Sequence, residues 1–493
     1  MEKYILAIDQ GTTSTRAIIF NHEQKAIAIA QKEFTQYYPQ SGWVEKDANE
    51  IWLTTLAVLS QVMQKANISP SAIEAIGITN QRETTIMWDK TTGMPIYNAI
   101  VWQSCQSEQI CQRLKTKENE RIIKEKTGLI IDPYFSATKI KWIYENVKEA
   151  KNNKNLLFGT VDTWLVWKLT NGKIHITDVT NASRTLLFNI HTQKWDKELL
   201  DIFDIDPSIL PEVKDSSEIY GECEPYHFFN HTVKIASVIG DQQSALFGQS
   251  CFSEGSIKNT YGTGGFMLMN TGDKIIESKH GLLSTIAWRI NNETKYCLEG
   301  SILVSGSLIQ WLRDNLKLFK DSNETYDIAK QVEDTNGVII VPAFVGMGAP
   351  YWNKNCRGMI LGLTRGTSAN HIVRAALEAM CYQSKDLLDA MEKDTGLTIS
   401  NMQVDGGASK NEFLLQFQSD ILQTDVESLN VSETTALGAA RMAGLAVGYW
   451  TMDDFKKETK KIYSPKISKA EAERLYSKWL KAVETCLTFT QEG

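Results

Sequence analysis

The sequence lacks the marks of a membrane-embedded or nucleic-acid-binding protein. Its apolar runs fall short of the roughly 18 consecutive apolar residues that a membrane-spanning helix needs. Basic side chains do not outnumber acidic ones: the formal net charge is −7 and the isoelectric point is about 5.7. Nucleic-acid-binding proteins usually present a basic face. We therefore expect neither a membrane span nor a nucleic-acid partner.

Paired cysteine motifs are also absent. The eight cysteines show no Cys-x-x-Cys spacing, so in a chain of this length they indicate reduced, mostly buried thiols in a cytosolic protein. An apolar run begins at Tyr4, which leaves no room for a signal peptide, and we expect a cytoplasmic location. The sequence contains no low-complexity segment or long linker. Its 493 residues suit two domains of roughly 250 residues each.

The first sixteen residues predict a β-hairpin with the contents of a phosphate-binding loop. Apolar residues 4–8 and 17–20 read as two strands, and a Gly/Thr loop joins them. Gly11 lets the backbone approach a ligand closely, and a guanidinium at Arg16 suits phosphate. Hydroxyl and amide donors follow the glycine in order, at Thr12, Thr13 and Ser14.

Asp9 lies at the end of the first predicted strand, where its carboxylate is suited to hold Mg²⁺ through water.

The alternative to a phosphate-binding loop is a polar hairpin tip whose hydroxyls only satisfy the turn. A second copy favours the phosphate loop. Gly262 and Thr263 repeat the Gly-Thr step, again before an apolar run, 266–269.

A repeat half the chain apart suggests two related domains that each bring a glycine-rich loop to one nucleotide. That is the plan of the actin-like ATPase superfamily. Alternating strands and capped helices indicate an α/β fold, and we place the boundary between residues 252 and 253. Residues 1–252 would carry the acceptor pocket, the first loop and the base. Residues 253–493 would carry the second loop and the adenine site.

Asp241 is the candidate base. It follows an apolar strand, 235–239, and a glycine, and a carboxylate there could take a hydroxyl proton as the phosphoryl group arrives. The alternative is a helix N-cap, since a helical run follows at 242–247. The two roles are compatible, because a cap would fix the carboxylate at the cleft.

The acceptor pocket is predicted from polar and aromatic residues at strand ends, namely Arg82, Glu83, Trp102, Tyr134, Gln242 and Phe266. Arg82 could donate and Glu83 accept across two neighbouring hydroxyls, with Trp102 and Phe266 as the apolar wall. The alternatives are a surface ion pair of little value and ordinary aromatic core packing, which spacing alone favours.

Further nucleotide contacts are predicted in the second half. Gly407 and Asn411 follow a strand and resemble a contact at a helix N-terminus. Gly306 and Gln310 could frame the adenine, unless they are a packing glycine and a surface amide. Residues 180–185 read as a polar loop, and the charge cluster 456–461 reads as a solvated face.

These stretches together resemble the FGGY carbohydrate-kinase family, in order and over essentially the whole chain. The stretch Asn80-Gln81-Arg82-Glu83-Thr84 is similar to members that act on glycerol rather than on pentuloses. The matching stretches are 9–14, 79–85, 132–135, 240–243, 261–264 and 405–408, with the longer patterns YFSATKIKWIYEN (134–146) and GMILGLTRGTSANHIVRAALE (358–378).

The resemblance implies two ribonuclease-H-like domains that close on a cleft, and Mg²⁺-assisted transfer from ATP to glycerol, giving sn-glycerol 3-phosphate. Asp241 would be the base. The implied glycerol contacts are Arg82, Glu83, Tyr134, Asp241 and Gln242. The implied nucleotide contacts are Thr12, Thr13, Ser14, Arg16, Thr263, Gly306, Gln310, Gly407 and Asn411.

Two positions depart from the family pattern. Cys105 stands where arginine is usual, which removes a cation expected beside the acceptor pocket, and Asn353 stands where aspartate is usual. The loop 226–229 resembles that of Gram-positive relatives, in which the phosphocarrier protein of the sugar phosphotransferase system phosphorylates a histidine. His227 is the match, and an unmodified loop histidine is the alternative. The family also implies a homodimer or homotetramer.

Two other functions stay open at this point. One is an FGGY kinase for another polyol or sugar, which would differ at Arg82, Glu83, Tyr134 and Phe266. The other is a catalytically weakened actin-like protein that binds nucleotide as a regulator. Intact Asp9, Asp241 and Gly-Thr loops argue against the regulator, whereas Cys105 favours it.

Overall fold

The computed structural model describes residues 2–151, 153–429 and 433–489. The chain forms an α/β protein in which strands and helices alternate. The first half contains, in chain order, β1 (Tyr4–Gln10), β2 (Ser14–Phe20), β3 (Ala26–Glu33), β4 (Glu45–Lys46), α1 (Ala48–Ala66), β5 (Ile73–Asn80), β6 (Ile86–Asp89), β7 (Ala99–Ile100), α2 (Glu108–Leu114), α3 (Lys117–Thr127), α4 (Ser136–Asn146), β8 (Leu156–Gly159), α5 (Val161–Leu169), β9 (Ile176–Asp178), α6 (Val179–Ala182), β10 (Phe188–Asn189), β11 (Lys194–Trp195), α7 (Lys197–Phe203), β12 (Glu212–Lys214), β13 (Ser217–Cys223), β14 (Val233–Gly240) and α8 (Asp241–Gly248).

The second half continues with the second predicted hairpin and then returns to helices. Its elements are β15 (Ile257–Tyr261), β16 (Gly265–Gly272), β17 (Leu283–Ile290), β18 (Glu293–Ile302), α9 (Gly306–Asp314), α10 (Thr325–Lys330), β19 (Ile339–Val341), β20 (Met359–Leu361), α11 (Ala369–Thr395), β21 (Asn401–Gly406), α12 (Glu412–Leu422), β22 (Asp425–Leu429), α13 (Thr434–Ala446), β23 (Thr459–Tyr463) and α14 (Lys469–Phe489). Across the described ranges, every helix is too short or too polar to span a lipid bilayer.

The main sheet contains the same five-stranded unit twice. Within the described residues its strand order is β23-β22-β21-β15-β16-β18-β17-β13-β14-β5-β1-β2-β3. In each unit an antiparallel hairpin carries a third antiparallel strand on one side and two parallel strands on the other. The units are β3-β2-β1-β5-β14 and β18-β16-β15-β21-β22. This duplication confirms the predicted α/β fold with two related domains, while the boundary at 252/253 stays a prediction.

Helix α13 packs across the first unit, although it lies far along the chain. Its Leu437, Ala440 and Met442 are buried in one apolar cluster with Ile5 and Ile239 of the first sheet. The crossing between α13 and α8 is close because two glycines lie in it. A Cβ at Gly438 would lie 1.9 Å from the Ser244 carbonyl oxygen, and one at Gly248 would lie 2.0 Å from that of Thr434.

Two local predictions need correction, and a third is confirmed. Residues 180–185 are not all loop, because Asp178 caps the short helix α6 by accepting from the Thr180 and Asn181 amides. The charge cluster 456–461 is a solvated face as predicted: all six residues are exposed, and the lysines among them protect the sheet edge where β23 pairs with β22. Asp241 is not an N-cap: Gly240 holds that position, and Asp241 is the first residue of α8.

We expect Gly438→Ala to lower the free energy of unfolding by about 3 kcal/mol, because a methyl group cannot enter the α8–α13 crossing without displacing backbone. Urea unfolding followed by circular dichroism would measure the change. Gly366→Ala is the matched control, since its Cβ would meet nothing closer than 3.5 Å; we expect its effect to stay within about 0.5 kcal/mol. Equal stabilities of the two variants would contradict this account of the crossing.

Candidate active site

The first predicted phosphate loop joins β1 to β2 and turns its carbonyl groups into the protein. The Gly11 carbonyl accepts from the amides of Gln10 and Gln81 at 3.0 Å each, and the Thr12 carbonyl accepts from the Lys46 ammonium. The amides of Thr12 and Thr13 donate to no acceptor in the described residues. Fixed, unpaired backbone donors of this kind bind anions.

The second loop, between β15 and β16, repeats this arrangement. The carbonyl of Gly262 accepts from the Gly306 amide, and that of Thr263 accepts from the Ser305 and Ser307 amides, at 3.0–3.1 Å. The Thr263 amide has no acceptor within the described part of the chain. The amides that follow the bound carbonyls, those of Thr12, Thr13 and Thr263, therefore point away from these partners, whereas the Gly11 and Gly262 amides donate within their own turns. We did not predict that the loop carbonyls would be bound from behind.

The remaining predicted nucleotide residues differ in how available they are. Arg16 pairs with Glu433 at 2.9 Å and is 37% exposed. Gly306 packs against the second loop, where a Cβ would lie 2.5 Å from the Gly262 oxygen. Gln310 is exposed, and the space around Gly407 is open to 4 Å.

Asn411 has a structural role that the sequence only partly predicted. It is the N-cap of α12: its Oδ1 accepts from the Leu414 amide at 3.1 Å, and its Nδ2 donates to Thr325 Oγ1 at 3.1 Å. Both ends of its amide are therefore engaged within the protein. A nucleotide contact at Asn411 stays a prediction.

A buried network of charges lies beneath the predicted acceptor pocket. Arg82 donates to both Glu299 oxygens, at 2.5 and 3.1 Å. Arg184 donates to Glu83 at 2.5 Å and to Glu299 at 2.9 Å. All four side chains are at most 2% exposed. Arg82 and Glu83 are therefore not a surface ion pair.

Asp241 lies at the edge of this network. Its Oδ1 is 3.2 Å from Arg82 Nε, and 26% of its side chain is exposed, so the carboxylate is open to a ligand. Burial raises its pKa, although Arg82 and Lys258 oppose the shift. Burial also raises the pKa of Asp9 to about 6, and the negative charge of Asp241 contributes to that shift.

Three aromatic rings form one wall next to Arg82, whose guanidinium lies 3.4 Å from the Tyr134 hydroxyl and 5.9 Å from the Phe266 ring centre. The Trp102 ring centre is 5.5 Å from that of Tyr134 and 6.0 Å from that of Phe266. Tyr134 is buried, whereas Trp102 and Phe266 are half-buried. The Trp102 indole donates to Thr12 Oγ1 at 3.1 Å. The wall is therefore hydrogen-bonded to the first phosphate loop.

Three buried residues of the site were missed from the sequence: Arg184, Lys258 and Glu299. Lys258 donates to the Gln242 side chain at 2.5 Å. A signal was present for two of them, because Lys258 and Glu299 interrupt runs that otherwise form buried strands. Arg184 gave no comparable signal, since it follows a polar stretch.

The two departures from the family pattern are placed away from the charge network. Asn353 Oδ1 accepts from the Asn355 and Cys356 amides at 2.9 and 3.2 Å, and an aspartate would make the same turn. Cys105 is exposed, and its amide donates to the Gly42 carbonyl at 3.0 Å. Within the described residues, no hydrogen bond joins Cys105 to the predicted acceptor residues.

His227 ends a 3₁₀ turn, Pro225–His227, and is half-buried. Its ring centre lies 4.9 Å from that of Trp52 on α1. Burial lowers the pKa of His227, and the Lys168 charge adds to the effect. Both effects favour the neutral form of the imidazole.

Comparison with known proteins assigns this chain to a family. A profile of the N-terminal domain of the FGGY family of carbohydrate kinases matches residues 4–248, and one of the C-terminal domain matches 257–447. The chain belongs to this family. Two relatives of this FGGY kinase, the glycerol kinases of Bacillus mycoides and Bacillus licheniformis, are 58% and 57% identical to it over 495 residues, covering 99% of this chain and 100% of each relative.

Solved structures of FGGY kinases share the fold. Plasmodium falciparum glycerol kinase with ADP superposes with a TM-score of 0.91 at 39% identity, covering 99% of this chain and 98% of that one. Xylulose kinase from Lactobacillus acidophilus gives a TM-score of 0.86 at 23% identity, covering 98% of each chain. The latter likeness concerns the fold alone.

We expect Glu299→Gln to destabilise this FGGY kinase by about 3–5 kcal/mol at pH 7, because it leaves Arg82 and Arg184 buried with too little counter-charge. The two arginines hold the pKa of Glu299 at about 2, below its ordinary 4.5. The contribution of ionised Glu299 to the free energy of unfolding is therefore complete above about pH 4.5 and is lost as the pH falls towards 2. Urea unfolding over this pH range should show the variant's deficit shrinking.

The matched control is Glu145→Gln, which removes the carboxylate of an exposed pair with Arg113 at 2.6 Å. It should cost less than about 1 kcal/mol at any pH. A Glu299→Gln deficit as small as the control, or one unchanged between pH 5 and pH 2, would contradict the assigned role of the network.

Proposed function

We propose that this protein transfers the γ-phosphoryl group of ATP to glycerol and forms sn-glycerol 3-phosphate. The observation that carries this proposal is the position of Asp241, a partly exposed carboxylate 3.2 Å from Arg82, the buried arginine that also contacts the aromatic wall. The unpaired backbone amides of the two loops would bind the phosphates of ATP. The names of the full-length relatives support glycerol as the acceptor.

In this proposal Asp241 accepts the proton of the attacking hydroxyl. Arg82 Nε, 3.2 Å away, orients the carboxylate, and its guanidinium is otherwise engaged by Glu299, Gln243 and Tyr134. The network leaves Glu83 Oε2 without a hydrogen bond in the described residues, so Glu83 can accept from a second hydroxyl. The carbon chain of the substrate would lie against Trp102 and Phe266.

Asp9 would hold Mg²⁺ through water. Its carboxylate lies at the end of β1, half-buried, and no described residue donates a hydrogen bond to it. The described residues contain no cluster of three or more His, Cys, Asp or Glu side chains around a metal site. A site with one carboxylate fits Mg²⁺, which keeps most of its water and binds phosphate oxygens. The ion would neutralise charge on the phosphates.

We expect Asp241→Asn to lower kcat at least about 100-fold while leaving the fold intact, because the amide cannot accept the hydroxyl proton. ADP release would be measured with Mg-ATP and glycerol, xylulose, ribulose, gluconate, erythritol or no acceptor. The matched control is Asp386→Asn, a buried aspartate of the second half that accepts from Tyr476 at 2.5 Å. It should keep kcat within about threefold.

The outcomes separate the remaining alternatives. Turnover with glycerol that is lost in Asp241→Asn supports the proposal. Turnover with another acceptor would keep the kinase and overturn the pocket assignment. Tight ATP binding that no acceptor stimulates would indicate a regulator, and Cys105→Arg would then be the first variant to examine.

We further propose that His227 accepts a phosphoryl group from the phosphocarrier protein of the sugar phosphotransferase system. A neutral imidazole is the nucleophilic form, and its position beside Lys168 offers a cation to the modified ring. Trp52 packs against His227 from α1, the helix that follows Lys46, and Lys46 binds the first phosphate loop. Phosphorylation of His227 would therefore act on the first phosphate loop through Trp52, α1 and Lys46. Cytoplasmic location and a dimeric or tetrameric state stay predictions.

Incubation with the phosphorylated phosphocarrier protein should add one acid-labile phosphoryl group to the wild type and none to His227→Ala. Mass spectrometry at neutral pH would detect it. His231→Ala, four residues further along the chain, is the control and should be phosphorylated like the wild type. Equal labelling of both variants would contradict the assignment.

A further inference from the structure

Lys258 is a buried cation with three neutral partners. It lies in β15 with 0% of its surface exposed. Its ammonium donates to Gln242 Oε1 at 2.5 Å, to Thr260 Oγ1 at 2.8 Å and to the Phe266 carbonyl at 3.3 Å. No carboxylate of the described residues lies within 4.0 Å of it. These three bonds use all the donors that a lysine has.

Lys258 fixes which end of the Gln242 amide points away from it. An ammonium has no acceptor atom, so only the oxygen of the amide can face it. Nε2 is then the free end, and within the described part of the chain it donates to no protein acceptor. Gln242 follows Asp241 directly in α8. The lysine therefore leaves Gln242 with an unused N–H donor beside the proposed base.

The same three bonds join the two halves of the molecule. Gln242 belongs to α8 of the first half, whereas Thr260 and Phe266 belong to the hairpin that carries the second phosphate loop. Phe266 also contributes its ring to the aromatic wall. A displacement of this hairpin would therefore move Lys258 and release the Gln242 amide.

A second buried lysine, Lys139, has a different set of acceptors from Lys258. Lys139 donates to three backbone carbonyls, those of residues 133–135, at 2.5–3.2 Å. Those acceptors belong to one turn and cannot rotate. Lys258 instead holds a side-chain amide that is otherwise free to turn over.

We propose that Lys258 is a positioning residue for the acceptor: from the hairpin of the second phosphate loop, it holds the Gln242 amide as a donor to a substrate hydroxyl. The inference rests on the proposed function, since it names the contact that Gln242 makes in that reaction. The charged groups around Lys258 are Asp405, Glu299, Asp241 and Arg82. Burial lowers the pKa of Lys258 to about 8, and Arg82 adds to that effect, whereas the three carboxylates favour the charged ammonium.

A double-mutant cycle tests the coupling. The variants are Lys258→Met, Gln242→Leu and the double variant, each assayed for kcat, the KM of glycerol and the KM of ATP. We expect Lys258→Met to raise the KM of glycerol about tenfold, as for a lost hydrogen bond to substrate. The KM of ATP should change less than about threefold. In the Gln242→Leu background the effect of Lys258→Met should almost vanish, because the lysine acts through that amide.

Two further measurements guard against a purely structural effect. Thr260→Val removes one acceptor but keeps the Lys258–Gln242 bond, so we expect its KM for glycerol to stay within about threefold of the wild type. Calorimetric titration with glycerol in the absence of nucleotide should show the same weakening as the KM. Additive losses in the cycle, or equal rises in both KM values, would overturn the inference.

Selectivity gives an independent readout. The wild type should prefer glycerol to 1,2-propanediol and 1,3-propanediol, and Lys258→Met should lose the preference over the diol that lacks the hydroxyl bound by Gln242. Unchanged preferences over both diols would overturn the inference. If the wild type phosphorylates a different acceptor, the proposed function fails, and the same cycle with that acceptor still decides the role of Lys258.

Discussion

The site depends on one buried set of charges, in which Arg82 and Arg184 are held by Glu83 and Glu299. Four charges at most 2% exposed carry a large desolvation cost, and only close pairing offsets it. Glu299 comes from the second half of the chain and the other three from the first. The network therefore ties the halves together, and Asp241 takes its orientation from Arg82 at its edge. Glu83 holds a φ of +59°, a strained value that this pairing maintains.

The two phosphate loops rest on a second constraint, the fixing of their carbonyl groups. Gly11 and Thr12 in one loop, and Gly262 and Thr263 in the other, have carbonyls bound by protein donors. A peptide plane whose oxygen is held on one side must direct the next amide to the other side. Donors that are oriented before the ligand arrives stabilise developing charge without reorganisation. The duplicated strands place one such loop on each unit of the sheet.

What could be predicted from the sequence was local. The hairpins at 4–20 and 257–272 follow from apolar runs and a short Gly/Thr loop, so each was evident within twenty residues. Asp241 was identifiable because it follows a strand and a glycine. Contacts between residues that are distant in the sequence could not be predicted. Arg82 and Glu299 are 217 residues apart, and no period or propensity pairs them. A surface ion pair was therefore a reasonable alternative for Arg82 and Glu83, and the contact between Trp52 and His227, 175 residues apart, could not be predicted.

Two hydrogen bonds connect the phosphate loops to the acceptor side, one from each half. Trp102 reaches Thr12 of the first loop, and Lys258 reaches Gln242 from the second hairpin. Each bond joins a residue that a nucleotide would fix to a residue that an acceptor would contact. In the proposed reaction, phosphate held by the two loops would also stabilise, through these bonds, the positions of the aromatic wall and the Gln242 amide. Because such coupling is reciprocal, a bound acceptor would in turn support the loops, and this support would favour phosphoryl transfer to the acceptor over transfer to water.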